Sequence, residues 1–159
     1  NHAGFIYTPQ LILNGKDYRR GFLWDDTSGN IKEINQQKPL ADINLVVSMP
    51  VSGQWQVNAQ IVVPGANERA NTQAYMALYE NNLINAVKAG ENSGRSLHHD
   101  FVVRELVGPI AVDQHGNAQF QQTFNFNAGW KLQDSGVVAF VQNNRSGNVL
   151  QALALAACK

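Results

Sequence analysis

His98-His99-Asp100 is the most ligand-like cluster in this 159-residue chain, because imidazole and carboxylate together build the common zinc and copper sites. Adjacent residues on a strand face opposite sides, so His98 and Asp100 can share a metal while His99 cannot. Two ligands fall short of a site, and His115 or His2 would have to arrive from elsewhere. A polar strand start is the structural alternative. Gly90 to Ser96, read as GENSGRS, has the outline of a phosphate-cradling loop. A P-loop needs a Lys-Ser/Thr pair opening a helix after a parallel strand, whereas Arg95-Ser96 runs into His98 and a β pattern, so a flexible connection is expected. Asp25-Asp26 lacks the alternating oxygen ligands of a calcium loop and suits a helix N-terminus.

Trp24, Trp55 and Trp130, with Tyr75 and Tyr79, can line a sugar or peptide groove if several are exposed together. The inward register of Trp55 predicts burial. Trp130 follows Asn127-Ala128-Gly129 and is the ring expected to be exposed, hence the ligand-binding candidate. Arg104 and Glu105 are neighbours on a predicted strand, so one should face inward and need a polar partner. Asn144-Arg145-Ser146 is a formal glycosylation sequon and is read as a turn. Cys158 is the single cysteine, which excludes an internal disulfide and a CxxC pair. The sequence contains no nucleophile elbow, His-Glu-x-x-His helix or dinucleotide fingerprint.

These residues hang on a chain that alternates with period two from Leu40 onward. Ala41, Ile43, Leu45, Val47 and Met49 are apolar against Asp42, Asn44 and Ser48, and Trp55 to Val63 repeats the pattern after a turn at Pro50 to Gly53. Gln73 to Tyr79 and Leu83 to Lys88 flank Asn81-Asn82, which predicts a tight hairpin. Phe101 to Val107 is a predicted strand ended by Gly108-Pro109. Phe120, Phe124 and Phe126 share one face of a run whose other face is Gln119, Gln121, Thr123 and Asn125. Val137 to Gln142 and Val149 to Leu155 form the last pair, and the first of these is apolar on both faces, as a central strand requires.

Seven or eight short strands without a long helix-period stretch predict a mainly β chain, an antiparallel β-sandwich over residues 39–159. Residues 1–38 do not share that rhythm. They hold a strand at Gln10 to Leu13, a turn at Asn14-Gly15 and a short helical face marked by Ile31 and Ile34, capped by Ser28 or Asp26. Lys38-Pro39 is the expected boundary.

Twelve basic and twelve acidic residues cancel, so the excess of positive charge that a phosphate backbone needs is missing and nucleic acid is not an expected partner. Only 15% of residues are charged, and solvation falls to 18 Asn and 14 Gln. No apolar run reaches membrane-spanning length. Asn1 is not a natural translation start, so trimming or processing is expected to have made this end.

Tyr7-Thr8-Pro9-Gln10 followed by Leu11 to Gly15 resembles the late part of a thioredoxin fold: a Thr-Pro loop, an apolar strand and an Asn-Gly turn. The order of that segment, then Gly90 to Leu97, Val102 to Leu106, Val141-Gln142 and Val149 to Ala152, resembles a family of secreted bacterial thioredoxin-like proteins of undetermined function. In that family a thioredoxin-like domain carrying a Cys-containing motif precedes a β-rich domain. The resemblance implies that residues 1–38 are the remnant of the first domain and that Thr8 and Pro9 form the loop that pairs with a thiol substrate, with a cis bond between them plausible. The segment that would carry the redox cysteines is absent here, and without a thiolate thiol-disulfide exchange has no chemistry to run on.

The expectation is a non-catalytic recognition or interaction part of a secreted or periplasmic protein, without a cofactor. Its expected partners are a missing N-terminal segment, another protein or a second copy of itself. The competing expectations are a secreted metal-binding domain using His98, Asp100 and His115, and a sugar or peptide binder using Trp130.

Overall fold

The computed structural model describes residues 10–18 and 27–157. Thr8, Pro9, His2, Trp24, Asp25, Asp26 and Cys158 lie outside the described residues, and so do the roles expected of them. The elements run β1 (Ile12–Leu13), β2 (Lys16–Asp17), α1 (Thr27–Gln36), β3 (Asp42–Val51), β4 (Gln54–Val62), α2 (Ala66–Arg69), β5 (Thr72–Glu80), β6 (Leu83–Ala86), β7 (Ser96–His99), β8 (Val102–Ala111), β9 (Asn117–Asn125), a 3-10 turn at Leu132–Asp134, β10 (Ser135–Asn143) and β11 (Val149–Ala156).

Two antiparallel sheets make a sandwich, one ordered β3-β4-β9 and the other β11-β10-β5-β8. Alternation drives this arrangement. On β4 the side chains of Trp55, Val57, Ala59 and Ile61 are buried while Gln56, Asn58 and Gln60 are exposed. Those four face Leu45 of β3, Phe120 and Phe124 of β9, and Ala74, Met76, Leu78, Val137, Ala139 and Val141 from the other sheet. Each large apolar side chain removed from water in this way stabilises the fold by roughly 1.5–3 kcal/mol before entropy is subtracted. As its sequence requires, β10 is central, paired to β5 on one side and β11 on the other.

The turn at Asn14-Gly15 forms as expected, with both residues at positive φ. The 27–36 helix also forms, but none of its residues is buried and Ile31 remains 43% exposed. Two expectations fail, the first through competition for sheet edges. Asn82 takes a positive φ, yet β5 and β6 do not form a hairpin, because both edges of β5 are occupied by β8 and β10. Instead β6 pairs with β7 across the Gly90 to Gly94 loop. Gly108-Pro109 does not end β8 either. The peptide between them is cis, and a register shift between Ala74 and Met76 absorbs the two residues so that pairing resumes at Ile110. A bulge is where a strand tolerates a proline.

Candidate functional site

A second register shift lies between Leu78 and Tyr79: Leu78 pairs with Glu105 and Tyr79 with Val103, leaving Arg104 opposite no residue of β5. Strict alternation puts Arg104 and Glu105 on opposite faces. The bulge removes that alternation and turns both toward the interior, which corrects the one-in, one-out expectation. Arg104 Nε donates to Glu80 Oε2 at 2.9 Å. Glu80 is fully buried, and its other oxygen accepts the Lys131 backbone N–H at 3.1 Å. Glu105 Oε1 takes a long 3.5 Å bond from Gln122 Nε2 across the sandwich. With both oxygens of Glu80 committed, this carboxylate fixes the bulge in place and is not a free base.

Trp130 belongs to the same cluster. Its ring is half-buried, packs edge-on to Phe126 at 6.2 Å and carries the Arg104 guanidinium 5.5 Å above its centroid. Phe126 in turn packs edge-on to Trp55 at 5.0 Å. The exposed ring expected at Trp130 is therefore a wall of the interior, because a cation and an aromatic edge cover it.

On the other side of the same bulge the chain presents apolar surface. Alternation places Tyr75, Ala77 and Tyr79 of β5, Val138 and Phe140 of β10, and Ala152 and Ala154 of β11 on the outer face of the four-stranded sheet, where Ala77 and Tyr79 are themselves covered by their neighbours. Val103 and Leu106 of β8 pair with Tyr79 and Ala77 on that face and are 56% and 59% exposed. Tyr75 and Phe140 stack at 5.0 Å. No charged residue occupies a paired position on this face between Tyr75 and Tyr79. The outer face of the three-stranded sheet is the opposite: Asn44, Gln60 and Gln119 form one cross-strand row, Asn58 and Gln121 another, and Gln54 Nε2 donates to Asn125 Oδ1 at 2.9 Å. Amides thus dominate the outer face of the three-stranded sheet, whereas on the outer face of the four-stranded sheet they stand at one end, as the pair Gln73 and Gln142.

Phe101 stands at the corner of the apolar face. It is 69% exposed, its ring lies 5.2 Å from that of Tyr79, and its φ is 55°. A bulky residue in the left-handed region costs roughly 1–2 kcal/mol and persists only where its surroundings impose it. Here they do. The Phe101 N–H donates to Asn81 Oδ1 at 2.8 Å, the Asn82 N–H donates to Asp100 Oδ1 at 2.9 Å, and Asn82 Nδ2 donates to Asp134 Oδ1 at 2.8 Å. Asp100 is thereby placed as a hydrogen-bond acceptor of the corner that holds Phe101. Burial raises the Tyr79 hydroxyl above its ordinary value.

The structure does not bring His115 to His98 and Asp100. His98 pairs opposite Ile84 on β7, beside the corner, whereas His115 lies in the turn beyond the far end of the ten-residue β8. That strand spans about 30 Å. Among the described residues no three of His, Cys, Asp and Glu gather as a metal group. At the far end Asp113 Oδ1 accepts the N–H groups of Asn117 and His115, both at 2.8 Å, which holds its carboxyl below the usual aspartate range. Sequence reasoning missed Glu80 and Phe101. A charged residue ending an apolar run, Met76 to Tyr79, was the available sign of the first; a positive φ at a phenylalanine leaves none.

A family model described as "Protein of unknown function (DUF1223)" matches residues 1–142. The chain belongs to this family. Among curated proteins none matches it. The DUF1223 chain is similar to the solved structure of HBP35 of Porphyromonas gingivalis, at 16% identity and a TM-score of 0.60, over 81% of this chain and 44% of that one. It spans less than half the length of that structure, and the likeness is one of fold. A domain of the outer membrane lipoprotein Omp28 from Porphyromonas gingivalis is similar at 14% identity and a TM-score of 0.48, over 74% of this chain and 88% of that one. No helix among the described residues of the DUF1223 chain is long and apolar enough to cross a membrane.

Proposed function

We propose that this chain is the non-catalytic recognition and interaction part of a secreted or periplasmic thioredoxin-like protein, and that the outer face of the four-stranded sheet is its contact surface. The observation that carries the proposal is the exposure of Phe101, Val103 and Leu106 at 69%, 56% and 59% around a strained phenylalanine. Contiguous exposed apolar surface marks contact sites, and backbone strain is retained where it serves one. The chemistry suits a folded protein surface. A sugar would want the amides that line the opposite sheet, and a nucleic acid would want cations.

The occupant on this reading is polypeptide upstream of this chain in a longer gene product. The β1–β2 hairpin supports this choice, because it already sits against one end of the four-stranded sheet. The Val149 N–H donates to Asn14 Oδ1 at 3.0 Å, and a Cβ on Gly15 would collide with the Gly147 carbonyl and the Gln142 side-chain amide. Gln142 lies on the outer side of β10 by alternation from Val141. On this reading the upstream polypeptide runs from the Gln142 end of the sheet along the apolar face toward Phe101, and any thiol-disulfide chemistry belongs to it. Leu106→Glu in the complete gene product should speed proteolytic cleavage near residue 38 while leaving the melting of the 159-residue chain unchanged. Cleavage at the wild-type rate, or a gene product no longer than this chain, overturns the proposal.

A further inference from the structure

We infer that a cleft between α2 and the β10–β11 turn binds a small zwitterion, an ammonium and a carboxylate on one neutral molecule, as in a free amino acid or the ends of a short peptide. The cleft has a volume of about 530 Å³ and is lined by Asn67, Glu68 and Asn71 from α2 and the residues after it, and by Arg145 and Asn148 from the β10–β11 turn. That volume falls within the roughly 300–1,000 Å³ typical of small-molecule sites.

Its frame is held by bonds that leave the lining groups free. Asn143 Oδ1 accepts the N–H groups of Arg145 and Ser146 at 3.1 and 3.0 Å, and Asn143 Nδ2 donates to the Ala70 carbonyl at 2.9 Å. The Asn144 N–H donates to the Asn71 carbonyl at 2.8 Å, tying the two walls together. The neighbouring Arg69 is spent on the carbonyls of Val63, Pro64 and Gln114. Among the described residues, the Glu68 carboxylate and the Arg145 guanidinium each lack an ion-pair partner, and the side-chain amides of Asn67, Asn71 and Asn148 make no hydrogen bond. Opposite charges lining one cleft, together with neutral amides, match a ligand that carries both charges. A simple anion would be opposed by Glu68 and a simple cation by Arg145. The site is independent of the apolar face proposed above as a contact surface.

The experiment is a chemical-shift titration of the isotope-labelled chain with trialanine, with free alanine and with trialanine blocked by acetyl and amide groups, each to about 10 mM, which reaches millimolar affinity. Saturable shifts at the Asn71 and Asn148 side-chain amides with an unblocked ligand, absent with the blocked one, are expected. Tighter binding of trialanine identifies a peptide, and equal or tighter binding of alanine identifies a free amino acid. Glu68→Gln and Arg145→Gln should each weaken binding at least about tenfold. Both side chains lack structural bonds, so the variants are expected to fold. Equal shifts with the blocked peptide, no saturable shift with any ligand, or variants that bind as the wild type would overturn the inference.

Discussion

Arg104 Nε meets Glu80 Oε2 at 2.9 Å across a bulge, joining a 27% exposed guanidinium to a carboxylate with no solvent access. Removing one partner of such a pair strands the other. Arg104→Met should cost about 3 kcal/mol, the low end for a buried pair because the arginine keeps some water. Replacing both, as Glu80→Leu with Arg104→Met, should recover part of that loss. Denaturant titration of the three variants checks it. A single and a double variant equally stable to the wild type would mean that the pair does not hold the bulge.

Gly136 sits under the Tyr79 ring. A Cβ there would overlap the Tyr79 hydroxyl and come within 2.8 Å of the Leu155 carbonyl oxygen. Gly136→Ala should therefore destabilise by about 1–3 kcal/mol, the usual cost of overpacking. Adding Tyr79→Ala should relieve part of the clash in a double-mutant cycle. Additive effects would place the strain at the Leu155 carbonyl alone.

Asp113 gives the chain an acid-sensitive contribution. The Asn117 N–H, followed by the His115 N–H and the His115 charge, lowers its folded-state pKa. A depressed pKa adds stability above the unfolded value and loses it as pH falls through the folded one. The stability difference between wild type and Asp113→Asn should therefore shrink as pH drops below about 4. Tyr79 acts at the other extreme. Its raised pKa adds stability that is lost as pH climbs through the folded value, above about 10, and Tyr79→Phe should remove that slope. Chemical denaturation across pH measures both.

Phe101 holds a left-handed backbone conformation that asparagine adopts at lower cost. Phe101→Asn, a residue that tolerates the left-handed region, should leave the 159-residue chain as stable as wild type or more so by about 1 kcal/mol. The same change in the complete gene product should loosen the contact made by the outer sheet face. A clear loss of stability in the isolated chain would assign Phe101 to the fold instead.

Much of the sandwich was legible because alternation is a local signal. Trp55, Val57, Ala59 and Ile61 declare their inward face without reference to any partner strand, and the phenylalanines at 120 and 124 do the same. Partner choice was not legible. Asn81-Asn82 carries hairpin chemistry, but which strand takes the edge of β5 depends on residues more than 20 positions away. The bulges were hidden for a related reason, since a two-against-one pairing reverses the facing of every residue read by period two. That reversal concealed the inward turn of Arg104 and, with it, the covered ring of Trp130. His98, Asp100 and His115 looked alike as ligands, yet only the topology of β8 shows that the third lies a strand length from the others.

Hydroxyl-radical footprinting tests the contact surface most directly, because Phe101 and Leu106 are oxidised in proportion to their exposure. Comparing the 159-residue chain with the complete gene product, the account predicts strong protection of Phe101, Val103 and Leu106 in the longer protein. Met49, 60% exposed on the other sheet, should be labelled equally in both and serves as the internal reference. Equal labelling of Phe101 and Leu106 in the two proteins would contradict it.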